Sequence, residues 1–164
     1  MAEKLRHFEN QAVIPASGSE VFQYADNHAN FSSHMNKSSW MMGGGSMNTH
    51  ADERKFQKVG SHLQMEGTVF GVKLFLDEVV TKHEPPFNKE CQTVGDLNLL
   101  VIGHYRLGFK ITPDDNTSKL KVYIDYELPK SPKTYWLGIL FGEMYAKWCV
   151  KKMLTDTQKH FQHF

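Results

Sequence analysis

The run FGEMYAKWCVKKML, Phe141 to Leu154, reads as a helix with too little polar surface for the outside of a protein. At about 100° per residue, Glu143, Lys147 and Lys151 share one narrow wedge. Phe141, Met144, Tyr145, Trp148, Cys149, Val150 and Met153 spread over most of the remaining circumference. An ordinary surface helix shows a single apolar stripe, so this one calls for a partner that wraps it. Ser131 and Pro132 give it a start, a capping Ser followed by Pro at the first helical position, and it is expected to run nearly to Phe164. Gly138 and Gly142 each cost about 1 kcal/mol of helix propensity, which points to a close approach of the helix backbone to another element.

The wrapping partner is legible as alternation. Leu63, Met65, Gly67 and Val69 alternate with Gln64, Glu66 and Thr68, a period of two. Further strands are expected over 7–14, 72–82, 88–94, 99–112 and 119–128, with turns or stops at Phe70-Gly71, Pro85-Pro86, Gly95-Asp96 and the PDDNTS segment. SGSE at Ser17 to Glu20 is a capping box that opens a short helix with Val21 and Phe22 on its apolar face. NHANF then gives a second short helix or turn anchored by Phe31.

The PDDNTS hairpin sorts inside from outside. With Thr112 opposite Lys119, Ile111 faces Leu120, Phe109 faces Val122, Leu107 faces Ile124 and Tyr105 faces Tyr126. The other face pairs Arg106 with Asp125 and His104 with Glu127, favourable cross-strand matches, against one mismatch of Lys110 with Lys121. A slip of one residue would destroy this sorting. The expected architecture is α+β: a strongly curved antiparallel sheet gripping a long C-terminal helix, with two short helices after the first strand closing one end.

This order of elements resembles the START-like (SRPBCC) superfamily, including its polyketide cyclase/dehydrase-like bacterial members. The likeness is carried by VIPAS, SEVFQYADNHANF, MEGTVFGVKLFLDEVVTKHEPP, GHYRLGFKITP and YIDYELP, and it covers essentially the whole chain, 1–164, as one domain. The resemblance implies a helix-grip fold with a deep apolar cavity between sheet and helix, where members bind lipids, sterols, polyketides or plant hormones and a few do chemistry. The superfamily has no universal catalytic motif, so no catalytic residue is carried over.

On this reading the chain binds a small hydrophobic or lipid-like molecule. The expected lining is Phe22, Phe31, Leu63, Met65, Val69, Tyr105, Leu107, Phe109, Val122, Ile124, Tyr126, Met144 and Trp148, with Phe31 and Gly43–Gly45 at the entrance. The hydroxyls of Tyr105 and Tyr126 need partners, either in the core or on a ligand. Asp77 and Glu78 are adjacent on a strand and so point to opposite faces; one of them faces the cavity. Cys91 is expected inward as an apolar filler, and His104, Arg106 and Asp125 outward as a surface charge ladder. The alternative is an enzyme of the polyketide cyclase/dehydratase type using the same cavity, with Asp77 or Glu78, His62 and the two tyrosines as the available acids and bases. A third is a protein that docks another chain on its last helix or sheet edge.

Charge and motifs narrow the other classes. With 19 basic and 18 acidic residues and no basic run, nucleic acid is not expected as a partner. No apolar run reaches the roughly 20 residues of a membrane span, and MAEKLRHFENQAV has no apolar signal core. Cys91 and Cys149 lack a C-x-x-C spacing, which fits a reducing cytoplasm. The nine histidines form no H-E-x-x-H; His160 and His163 alone are spaced to share a helix face. Neither metal nor cofactor is expected. The glycine run at 43–45 is not followed by the Lys-Ser/Thr of a phosphate loop. Protein partners and the identity of the ligand stay open.

Overall fold

The computed structural model describes residues 5–31 and 46–162; the entrance expected at Gly43–Gly45, and His163, lie outside them. Strand β1 (Arg6–Ile14) leads into α1 (Gly18–Asp26) and α2 (His28–Phe31). Six more strands follow: β2 (Ser46–Ala51), β3 (His62–Val69), β4 (Val72–Glu84), β5 (Asn88–Asn98), β6 (Tyr105–Asp114) and β7 (Thr117–Tyr126). Helix α3 (Pro132–Gln162) completes the chain. The strands form one antiparallel sheet in the order β1-β7-β6-β5-β4-β3-β2. Ser17 caps α1 through the expected box, its side chain accepting from the Glu20 amide while the Glu20 carboxylate accepts from the Ser17 amide.

The β6–β7 register is the one the sequence predicts, from Tyr105 opposite Tyr126 to Thr112 opposite Lys119, and it includes the Lys110–Lys121 mismatch. Phe109, Ile111, Leu120, Val122, Ile124 and Tyr126 are buried on the concave face, and Arg106 reaches Asp125 at 3.1 Å outside. Several strand boundaries differ from expectation, two of them by four residues or more. Gly95 and Asp96 make no turn; β5 continues to Asn98, with Gly95 at φ +66° and a register shift opposite Phe75–Asp77. A left-handed glycine in a strand makes a bulge, which bends and twists the sheet. Residues 99–104 are not strand either. They form a connection that passes beneath α3.

That passage explains the glycines. A Cβ on Gly142 would sit 2.8 Å from the Val101 carbonyl oxygen, and one on Gly138 would sit 2.4 Å from Cδ of Pro129. The helix therefore rests on main chain and on a rigid ring. Gly142→Ala is expected to lower stability by about 1–3 kcal/mol through overpacking, against a helix-propensity gain of about 1 kcal/mol. The urea midpoint checks this, and a raised midpoint would refute the contact.

The broad apolar arc of α3 is only partly covered. Ala146, Cys149, Val150, Met153 and Leu154 are buried, whereas Tyr135, Trp136, Ile139, Leu140, Phe141 and Met144 are exposed. Among the strands α3 packs closely on β1 and β7, and it also meets α1. Two apolar clusters result. One lies under the helix, built from β1, α1, β6, β7 and α3, and the other lines the concave face of β2–β5.

Candidate functional site

Strand alternation sets the inner rows. On β4, Leu74, Leu76, Glu78 and Val80 are buried in succession, and on β5, Lys89, Cys91 and Thr93. Glu78 stands between Leu63 of β3 and Thr93 of β5 and is 3% exposed. The pair left open by the sequence is thus resolved: Glu78 faces in, and Asp77 faces out to His62 at 3.0 Å. That contact also takes His62 out of the set of inward bases.

Tyr105, one strand beyond β5, donates its hydroxyl to Glu78 Oε1. Burial raises the Glu78 carboxyl from 4.5 to about 7, opposed by the Tyr105 hydrogen bond and the Lys89 charge and assisted by Asp77. Burial, then the Glu78 charge, pushes the Tyr105 hydroxyl well above its usual value. Cys91 is also driven up by burial, and its thiol donates to the Leu107 carbonyl at 3.6 Å. On α3, Tyr145 is raised by burial and hydrogen-bonded to Cys149 one turn on. The Glu78 charge contributes to the Tyr145 shift, so the helix and sheet groups sense each other.

A second polar node closes the end of the sheet near α1. Lys89 Nζ donates to Asp26 Oδ1 at 2.8 Å, to the Asp26 carbonyl at 3.1 Å and to the Phe56 carbonyl at 2.6 Å. His83 Nε2 lies 3.0 Å from both Asp26 carboxylate oxygens. All three ammonium donors are thus used, and the charge is matched by Asp26. Alternation from an inward Cys91 already places Lys89 inward, a signal that the habit of assigning lysines to solvent conceals.

The structure divides the residues expected to line a cavity. Phe22, Phe31 and Phe109 stack edge to face, with centroids 5.6 and 5.2 Å apart, as packed core. Phe31 is buried there and is no entrance residue. Val122, Ile124 and Tyr126 are sealed in the cluster beneath α3, and Leu63, Met65 and Val69 in the cluster of β2–β5. Met144 leaves the set, being 43% exposed. Leu99, Tyr105, Leu107 and Tyr145 behave differently: each packs against both clusters and yet stays only half-buried. Trp148 does the same against the second cluster. Leu99 and Tyr145 were not among the expected lining residues. His104 also departs from expectation: its ring bonds Thr93 Oγ1 at 2.8 Å, and its carbonyl accepts from the Glu127 amide.

Among the described residues no three His, Cys, Asp or Glu side chains gather as a metal site. No helix among them is long and apolar enough to cross a membrane.

No family model and no curated protein matches the chain in sequence. Solved structures do match in shape. The Zhui aromatase/cyclase from Streptomyces superposes with a TM-score of 0.70 at 11% identity, over 97% of this chain and 94% of the other. Norcoclaurine synthase from Thalictrum flavum gives 0.66 at 12%, over 99% and 89%. The protein TTHA0849 from Thermus thermophilus gives 0.68 at 13%, over 96% and 98%. At these identities the likeness carries architecture alone: the chain has the helix-grip fold.

Proposed function

We propose that the chain holds a small hydrophobic molecule between the concave face of the sheet and α3, against Leu99, Tyr105, Leu107, Tyr145 and Trp148. One observation carries this reading: these inward-facing side chains touch the packed clusters yet keep accessible surface. A solid core would have closed over them, since interiors pack to crystal-like density. An apolar ligand entering there gains about 25 cal/mol per Å² withdrawn from water. The sealed residues Phe22, Phe31, Leu63, Met65, Val69, Phe109, Val122, Ile124 and Tyr126 form the wall behind that contact surface. Two buried free thiols, Cys91 and Cys149, suit a reducing cytoplasmic setting.

A second reading is favoured by Glu78. A buried carboxyl raised to about 7 has the properties of a general acid or base working near neutrality. Two structural neighbours are named as a cyclase and a synthase, so catalysis on a bound hydrophobic substrate is the alternative use of the same site.

Leu107→Trp tests the binding reading. Leu107 lies between Cys91 and Ile124 on neighbouring strands, so an indole there fills the space a ligand would take. The variant is expected to lose uptake of a fluorescent apolar probe while its far-UV circular dichroism is retained. Undiminished uptake in the folded variant would remove the site from this place.

A further inference from the structure

Resting on the hydrophobic-ligand reading, we propose that Glu78 and Tyr105 form a polar anchor that selects ligands whose buried end is a hydrogen-bond donor, a hydroxyl or an amine, and rejects carboxylates.

The concave rows of β3 to β6 are apolar apart from a short polar stripe. Among their described residues Glu78 is the carboxyl group, flanked by Cys91, Thr93, Lys89 and Tyr105. A carboxyl group offers about four lone-pair sites, and Tyr105 donates to Oε1. The Tyr105 oxygen, having donated its proton, still accepts. The pair therefore presents acceptors to a ligand head, and a donating head satisfies them.

A fatty-acid-like head meets the opposite situation. It would bring a second anion beside a buried carboxyl, and among the described residues of these rows no unpaired Lys or Arg side chain faces it. Lys89 is the nearest candidate, but its three donors are bound to Asp26 Oδ1 and to the Asp26 and Phe56 carbonyls. Asp77 points away, on the convex face with His62. From α3 the facing titratable group is Tyr145, hydrogen-bonded to Cys149. The ligand class indicated is an apolar body with a non-acidic, donating head.

Displacement of a bound fluorescent apolar probe by decanol, decylamine and decanoate tests this on the full chain. The comparison is made at about pH 8, where decanoate is ionised and decylamine protonated. Decanol and decylamine are expected to displace the probe about tenfold or more better than decanoate. In Glu78→Gln, verified as folded by its melting curve, decanoate should approach decanol to within about threefold, because the like-charge repulsion is gone. Tyr105→Phe should weaken decanol while leaving decanoate poor. Equal displacement by all three compounds in the parent, or an unchanged decanoate penalty in Glu78→Gln, overturns the anchor. If neither probe nor decyl compounds bind the parent, the hydrophobic-ligand reading falls as well.

Discussion

Glu78→Gln is expected to make the protein more stable than the parent at about pH 8 and no more stable at about pH 4. The sign follows from the direction of the shift. Below 4.5 both folded and unfolded chains hold the proton, and burial of a neutral carboxyl carries no charge penalty. Between 4.5 and about 7 the unfolded chain releases its proton while the folded chain keeps it, so stability falls as pH rises. Above about 7 the loss levels off. That interval corresponds to about 3 kcal/mol at 1.36 kcal/mol per unit. Gln cannot ionise, and its carbonyl still accepts from Tyr105, so the variant should lack the slope. Urea midpoints of both proteins across this range supply the measurement; parallel curves would mean that Glu78 does not titrate as described. A residue that lowers the stability of its own fold at working pH fits a role in the site better than one in the scaffold.

Lys89→Met should be the most damaging of the charge removals. The side chain is buried, and its loss strands the Asp26 carboxylate, itself 8% exposed, with His83 as its remaining close partner. Breaking one half of a buried pair costs about 3–5 kcal/mol. It also frees the Phe56 carbonyl, which Lys89 ties to the end of α1. Lys147→Met supplies the contrast, since the Lys147–Glu143 pair lies on the exposed surface of α3 at 2.7 Å and such pairs contribute about 0–1 kcal/mol. A Lys89→Met midpoint no lower than that of Lys147→Met would show that the buried node carries no structural weight.

The sequence disclosed the parts of this molecule that depend on local periodicity. The β6–β7 register was readable because a short polar loop joins two strands whose faces differ sharply in polarity. The small residues at 138 and 142 announced a close approach, and Val101 and Pro129 proved to be the neighbours. The inward face of β4 was harder to read. In VKLFLDEVV, Phe75 and Val79 place apolar side chains on both parities, and the pairing of Glu78 with the inward Leu63 and Thr93 fixes which row faces in. The apolar run Leu99-Leu100-Val101 looks like strand, yet it serves as a connection whose carbonyl supports α3. The arc of α3 misled in another way: a helix's own residues tell how apolar it is, not which of them a neighbour reaches, and Phe141 and Met144 are exposed. Residues that matter through accessible surface between two clusters, Leu99 and Tyr145 among them, have no signature in a linear pattern.

The seating of α3 on the Val101 carbonyl and the Pro129 ring has a further consequence for how such a molecule changes over time. Where rod and wall meet through main-chain atoms, their spacing does not follow the size of the side chains that fill the gap. If the proposed site is the one used, exchanges at Leu99, Leu107 or Trp148 would reshape what fits while the frame keeps its dimensions. On the proposed binding reading, container and contents are thereby uncoupled, and one scaffold could be re-aimed at new cargo without being rebuilt.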